Sequence, residues 1–490
     1  VNRDRYLDFL RALAICCVVT GHWLITALTH RDGALAAPEL LATLPWTQWL
    51  TLLFQIMPLF FLAGGCAAAG SWTRAQGRAL PWIRQRTVRL LLPTGVYAGL
   101  ALVAVAVCSA VGVDPGLLAM VGWALAMQFW FLPVYLLVTA LTPVLHAAHR
   151  RFGLAAPAVL GLAAVTVDVV VLRAHPPVLG SLNYVLVWAV AYQLGFCWAD
   201  GLLTRRPLLP WALAAAGGLG FGLLVAFGPF PVSLILVSTE TVSNTNPPSA
   251  AMLAWVVAQC GLCVALAPAA RRLLRGERLW RVVRPVGRAS MSVYLWHMVP
   301  VLAAAGLFYL TRLAPEPAVG SGVWWALRLP WLAILTGLLL ALLAALAPLE
   351  RALRTLADRL RPEGEVRWPG LFALGFAAAV YALSVFASHG FAFGGRFPVP
   401  AAGFLAVGLL FTLGAAGERP ARERPLPDRA GTDAADPAGP ADLAVPAGPS
   451  EPAPPPLPAD AADAAGPADP ARSADAARTG AAARVTSDGR

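Results

Sequence analysis

Apolar runs of membrane-spanning length recur along this chain, near residues 6–28, 47–70, 89–112, 126–146, 154–173, 182–200, 210–227, 249–268, 290–311, 323–347, 370–387 and 400–416. Each approaches the roughly 20 residues that a helix needs to cross a bilayer. The pattern predicts an all-α fold, a polytopic transmembrane bundle of about twelve helices. The first run follows a short polar segment and holds polar residues itself, so it reads as a retained span and not as a cleaved signal peptide. From about residue 418 the pattern stops. The stretch 418–490 is built mainly from Ala, Pro, Asp, Gly and Arg, with no aromatic residue. It cannot bury enough apolar surface to offset its ordering entropy and is expected to be a disordered cytoplasmic tail.

Composition agrees with the pattern. Hydrophobic residues make up 58 % of the chain and charged residues 13 %, with a mean hydropathy of +0.66, which excludes an ordinary soluble globular protein. All 37 basic residues are arginine. The net charge of +11 therefore reflects a compositional bias, and no nucleic-acid partner is expected. Where the arginines fall says more. They crowd at Arg3 and Arg5, at Arg74–Arg89, at Arg150 and Arg151, at Arg205 and Arg206, and again at Arg271–Arg288 and Arg351–Arg367. The alternate joints carry few, such as Arg31, Arg173, Arg312 and Arg396, and 228–248 carries none. The positive-inside rule then predicts a multi-pass cell-membrane protein with both termini in the cytoplasm and an even number of spans.

Inside the first span, Arg11 and His22 are eleven positions apart. At about 100° per residue this is close to three full turns, so both lie on one helix face, roughly 16 Å apart along the axis. Ionisable residues within membrane helices mark function by default. Asp8 precedes Arg11 at i, i+3 and is placed to pair with it. Arg11 by itself reads equally as a residue that snorkels to the interface. His22, roughly 24 Å from Tyr6 by helical rise, belongs in the outer half of the bilayer. It is either a histidine hydrogen-bonded within the bundle or a general base.

A second cluster, Arg84-Gln-Arg86-Thr-Val-Arg89, opens the third span. Arg86 and Arg89 share a helix face, and planar donor forks suit phosphate oxygens; the alternative is ordinary topology-setting charge. The seven cysteines are scattered, nearly all in apolar runs. Cys260-Gly-Leu-Cys263 has no second ligand pair nearby and reads as helix packing, as do Cys16 and Cys17, so no metal site is expected. The polar stretch Ser243–Ser249, with Glu240 before it, is either an acceptor rim or simply a loop. His30, His146, His149, His175 and His389 lie at span ends or in joints and receive no role.

Several stretches resemble the membrane acyltransferases of acyltransferase family 3. Tyr6-Leu-Asp8-Phe-Leu-Arg11-Ala-Leu-Ala with His22 resembles the family's opening arginine and histidine. Phe60-Phe61-Leu62-Ala63-Gly64-Gly65 is similar to its Phe-(Val/Leu)-Ser-Gly stretch, with Ala63 in place of the usual serine. Arg86 and Arg89 match an RxxR pair, Phe129-Trp130-Phe131-Leu132 matches Trp-Phe-Leu, and Ser290-Met-Ser292-Val-Tyr294-Leu-Trp296-His297 matches the late Ser-x-x-(Ile/Leu)-Tyr-Leu-x-His. The resemblance covers about 1–350. It implies a ten-helix core, with 351–417 supplying about two further helices. It also implies an integral membrane O-acyltransferase, of the class transferring groups other than aminoacyl groups. Such an enzyme moves an acyl group, commonly acetyl, from cytoplasmic acyl-CoA to a hydroxyl of a cell-surface glycan, glycolipid or small molecule. By the same resemblance His22 is essential, Arg11, Arg86 and Arg89 serve the donor side, and acyl-CoA is a substrate and not a resident cofactor. For His297, packing or hydrogen bonding is as good a reading as catalysis.

A multi-helix transporter or flippase shares the intramembrane charge and the many helices. It is favoured by inverted repeats and by matching broken helices, and this sequence displays neither. A catalytically dead relative acting as a membrane partner is opposed by the retention of Arg11 and His22.

Overall fold

The computed structural model describes residues 4–31, 34–176, 178–313, 315–360 and 366–415, and the expected disordered tail lies outside them. The described residues belong to one compact unit. The helices that matter below are α1 (Arg5–Ile25), α2 (Met57–Arg74), α3 (Ala79–Ala110), α4 (Pro115–Ala126), α5 (Phe131–Ala140), α6 (Thr142–Phe152), α7 (Ala155–Ala174) and α8 (Asn183–Ala199). They continue with α9 (Leu209–Phe227), α10 (Ala250–Leu273), α11 (Glu277–Trp296), α12 (Val299–Ala304), α13 (Arg328–Arg359), α14 (Pro369–His389) and α15 (Val399–Gly414). A two-stranded antiparallel hairpin, β1 (Thr29–Arg31) with β2 (Ala34–Ala36), follows α1 with Thr29 opposite Ala36.

Among the described residues, ten helices are long and apolar enough to cross a membrane. A broken pair, Glu277–Trp296 with Val299–Tyr309, and the shorter Val399–Gly414 add two more apolar segments. In chain order these correspond to the twelve predicted runs. Two differ in shape from the prediction. The fourth starts earlier, at Pro115, and passes through a tight turn at Met127–Trp130 before α5, while α6 is a separate helix. The ninth bends by 53° between α11 and α12. Pro300 explains the bend, because its ring clashes with the carbonyl of Trp296 and it offers no N–H to continue the helix.

The arginine-rich joints meet at one end of the bundle. Arg5 pairs with Glu277 at 2.7 Å, Arg271 with Asp4 at 2.7 Å, and buried His149 with Asp200 at 2.9 Å. At the other end Glu316 accepts from the backbone N–H of His30, and Glu39 accepts from that of Ser238. Lipid is as apolar as leucine, so helices in a bilayer hold together through close contact of small residues more than through a hydrophobic drive. The α2–α8 crossing depends on this. A Cβ on Gly65 would lie 2.0 Å from the Tyr192 carbonyl oxygen, and one on Gly195 would lie 2.3 Å from that of Leu62.

Candidate active site

The N-terminus of α1 is capped by Asp4, whose carboxylate accepts from the Tyr6 N–H at 2.9 Å. One turn on, Asp8 is buried and Arg11 Nη1 lies 3.8 Å from its Oδ1, as the i, i+3 spacing predicts. Nη2 of Arg11 extends to the Ala63 carbonyl on α2 at 3.5 Å. Arg11 is thus drawn into the α1–α2 contact at the arginine-rich end.

Arg86 enters the same region from α3. Its guanidinium lies 4.1 Å from the Trp82 ring centroid and donates to Ser71 Oγ. Its Nε is buried with no hydrogen-bond partner among the described residues. Arg11, Arg74, Tyr135 and Tyr192 are its electrostatic neighbours. Arg86 thus shares an electrostatic neighbourhood with Arg11 and Arg74 at the arginine-rich end and keeps one buried donor unused. Arg89 is exposed. Positions i and i+3 are about 60° apart around the axis, so the edge of the buried face falls between Arg86 and Arg89.

Arg84, in the same cluster, has a different task. It is buried and donates from Nε to Thr412 O at 3.1 Å, from Nη2 to Leu413 O at 3.0 Å and from Nη1 to Leu360 O at 3.1 Å. These carbonyls close the last turns of α13 and α15, where helix C-termini leave acceptors unpaired and negative.

His22 lies in the last turn of α1, toward the opposite end. Its Nδ1 is 2.8 Å from His297 Nε2, and the two rings stack at 5.1 Å between centroids. His297 is fully buried at the α11–α12 break. The hydrogen bonds fix the tautomers. A carbonyl only accepts, so the 2.8 Å contact from His297 Nδ1 to Tyr294 O puts the proton on Nδ1. In neutral His297, Nε2 is then a lone-pair acceptor, so His22 Nδ1–H donates to it. In neutral His22, Nε2 is left as a lone-pair acceptor with no hydrogen-bond partner among the described residues. The Trp23 indole donates to the His297 carbonyl at 2.8 Å, an acceptor freed by the helix break. Tyr294 donates its hydroxyl to Gln128 O at 2.5 Å, which anchors α11 against the turn before α5.

The sequence motifs pack together around this axis. Phe131 lies 5.7 Å from Phe60, 5.4 Å from Phe61 and 5.9 Å from Tyr294. A family profile described as an acyltransferase domain, that of acyltransferase family 3, matches residues 4–349. The chain belongs to acyltransferase family 3. It is accordingly a membrane acyltransferase, with α14 and α15 beyond the matched residues. No curated protein and no solved structure matches the chain.

The stretch 243–249 is tied down by hydrogen bonds within itself and to its neighbours. Asn244 is buried and donates to the carbonyls of Pro231 and Ser233 at 2.7 and 2.9 Å, and Ser249 donates to Asn244 Oδ1 at 2.6 Å. Cys260 and Cys263 lie in the α10 packing, and the Cys263 carbonyl accepts from Tyr6 Oη at 2.7 Å; among the described residues no metal-binding cluster forms. His149, given no role from sequence, ties α6 to the end of α8 through Asp200. Arg328 is a further buried arginine, at the arginine-poor end. Its signal is the run Trp324-Trp325-Ala-Leu-Arg328-Leu-Pro-Trp331, a lone cation amid tryptophans at a joint otherwise poor in arginine.

Proposed function

We propose that this enzyme transfers an acyl group, in the first instance acetyl, from acyl-CoA entering at the arginine-rich, cytoplasmic end to a hydroxyl of an acceptor entering from the other side. Both termini are then cytoplasmic. Arg11 and Arg86 hold the anionic part of CoA, Arg89 guides it at the exposed rim, and the thioester extends along α1 toward His22. His22 Nε2 accepts the proton of the acceptor hydroxyl as its oxygen attacks the thioester carbonyl, forming the C–O bond. The tetrahedral intermediate collapses with cleavage of the C–S bond, and the departing thiolate takes the proton back from His22 Nε2. His297 touches no reacting atom in this scheme. It positions His22, holds its tautomer and stabilises the imidazolium through the Nδ1–H bond.

The observation that carries this reading is the His22–His297–Tyr294 chain, which leaves one basic nitrogen available. The stripe geometry supports it, since Arg11 and His22 lie roughly 16 Å apart on one helix face. The test uses the full chain in nanodiscs with radiolabelled acetyl-CoA, measuring acetyl-CoA binding and transfer of label to hydroxylated acceptors. Wild type should bind and transfer, while His22→Ala should bind but transfer roughly 10²-fold or more slowly. Equal transfer by the two proteins overturns the assignment of the base.

A further inference from the structure

At the arginine-poor end, a cavity of about 260 Å³ opens between the end of α1, the segment after α12 and the start of α13. Its polar lining is Thr29, Tyr309, Glu316 and Arg328, set among apolar walls that include Trp324 and Trp331. Arg328 is the informative member. It is only 6 % exposed, and among the described residues no carboxylate pairs with it. Nη1 donates to Thr26 O at 2.8 Å, and the guanidinium lies 3.9 Å from the Trp324 ring centroid. Its Nε is buried without a partner, and no hydrogen bond engages Nη2 among the described residues. The Nε–Nη2 edge is the side of a guanidinium that binds a carboxylate or phosphate through two parallel hydrogen bonds. A buried charge with that edge unused is expensive unless a ligand supplies the anion.

Two residues of the cavity wall are hydrogen-bonded to the backbone of α1, the helix that carries His22. Arg328 holds Thr26, whose N–H bonds the His22 carbonyl at 3.2 Å, one turn along α1. Trp331 donates to the Trp23 carbonyl at 3.3 Å. Glu316, at the exposed mouth, accepts from the His30 backbone, and the Tyr309 hydroxyl has no hydrogen-bond partner among the described residues. These two are placed to receive or donate hydrogen bonds to neutral hydroxyls.

We propose that this cavity is the acceptor subsite and that it selects an acceptor carrying an oxyanion close to the acylated hydroxyl. The anion docks on the Nε–Nη2 edge of Arg328 and the hydroxyl points along α1 toward His22. This rests on the proposed role of His22. Trp324 and Trp331 supply the apolar walls against which a sugar ring or an attached lipid chain packs. An acidic sugar free in solution and one borne on a lipid share this chemistry.

The test measures binding to full-length protein in nanodiscs, without acyl-CoA, by tryptophan fluorescence and thermal shift. Three matched pairs serve as probes: glucuronate with glucuronamide, glucose 6-phosphate with glucose, and dodecyl glucuronide with dodecyl glucoside. In wild type at least one acid should bind about tenfold or more tightly than its neutral partner. Arg328→Gln should abolish that preference and Arg328→Lys should retain part of it, since the charge stays and the fork is lost. A preference confined to the dodecyl pair assigns a lipid-borne acceptor, and one seen with the soluble pairs assigns a free acid. No preference in wild type overturns the inference, without requiring any variant to fold. So does a preference that survives in both Arg328 variants. Failure of wild type to bind acetyl-CoA, measured separately, counts against the donor–acceptor scheme and leaves the anion result standing.

Discussion

Arg84 and Thr412 are 328 positions apart in the chain, and the guanidinium Nε of the first donates to the carbonyl of the second at 3.1 Å. With Leu413 and Leu360 as its other acceptors, one buried arginine ties the ends of α13 and α15 to the start of α3. Hydrogen bonds from charged donors contribute about 1.5–3 kcal/mol each. Removal of the side chain leaves three helix-end carbonyls without that donor. Arg84→Met should therefore destabilise the protein by about 2–4 kcal/mol and lower the thermal unfolding midpoint in nanodiscs, while acetyl-CoA affinity of the folded fraction stays unchanged. A midpoint equal to wild type would show that Arg84 is only a topology signal.

Arg86 offers the contrasting case within the same cluster. Its unused Nε and its proximity to Arg11 predict that Arg86→Ala weakens acetyl-CoA binding by roughly tenfold, about 1.4 kcal/mol, with a smaller loss of thermal stability than Arg84→Met because only the Trp82 and Ser71 contacts are removed. Lysine should restore part of the affinity. Arg89→Ala, at an exposed position, should have the smaller effect. Titration calorimetry with acetyl-CoA measures both, and equal affinities for wild type and the Arg86→Ala variant would remove this residue from the donor site.

The tautomer chain makes His297 a positioning residue with its own signature. His297→Ala should reduce turnover by about tenfold or more and leave KM for acetyl-CoA near the wild-type value. His297→Gln should recover part of the rate, because its side-chain oxygen can accept the His22 Nδ1–H bond. Transfer in wild type should fall as pH falls, since protonating the pair removes the free lone pair of His22. Full activity in His297→Ala at matched expression would reduce the pair to packing.

At the α2–α8 crossing a side chain has no space. Gly65→Val should prevent tight packing against Tyr192 and lower the yield of folded protein sharply, as overpacking costs about 1–3 kcal/mol or more. Gly77, with nothing near its Cβ position, is the control, although its φ of +79° makes Asn the appropriate replacement. Comparable folded yields of Gly65→Val and wild type, judged by size-exclusion profile, would contradict the close approach.

Topology has a direct check. Cysteine labelling at position 240 and at a position in 418–490, in a cysteine-free background, should modify the two from opposite sides of the membrane. Labelling of both from one side would invert or break the scheme of donor and acceptor access.

The sequence by itself determined the class of this protein and the identity of its first helix's stripe. Apolar runs of bilayer length dictate helices, because a backbone in lipid must satisfy its own hydrogen bonds. The eleven-residue spacing of Arg11 and His22 places them on one face, because helical geometry is local. The Asp8–Arg11 pair follows from the same local rule. What only the tertiary structure decided are relations between residues that meet because separate helices pack. His297 is 275 positions from His22, and nothing in its own neighbourhood distinguishes a packing histidine from one that orders another's tautomer. Arg84 and Arg86 look alike in sequence, yet the first turns to carbonyls at the ends of α13 and α15 and the second faces Arg11 across the bundle. Arg328 looks like one more interfacial arginine until the packing of α1 and α13 buries it with one edge unpaired. Local spacing fixes which face a side chain occupies, whereas the partner on that face depends on which helices pack there, and no short-range pattern encodes that.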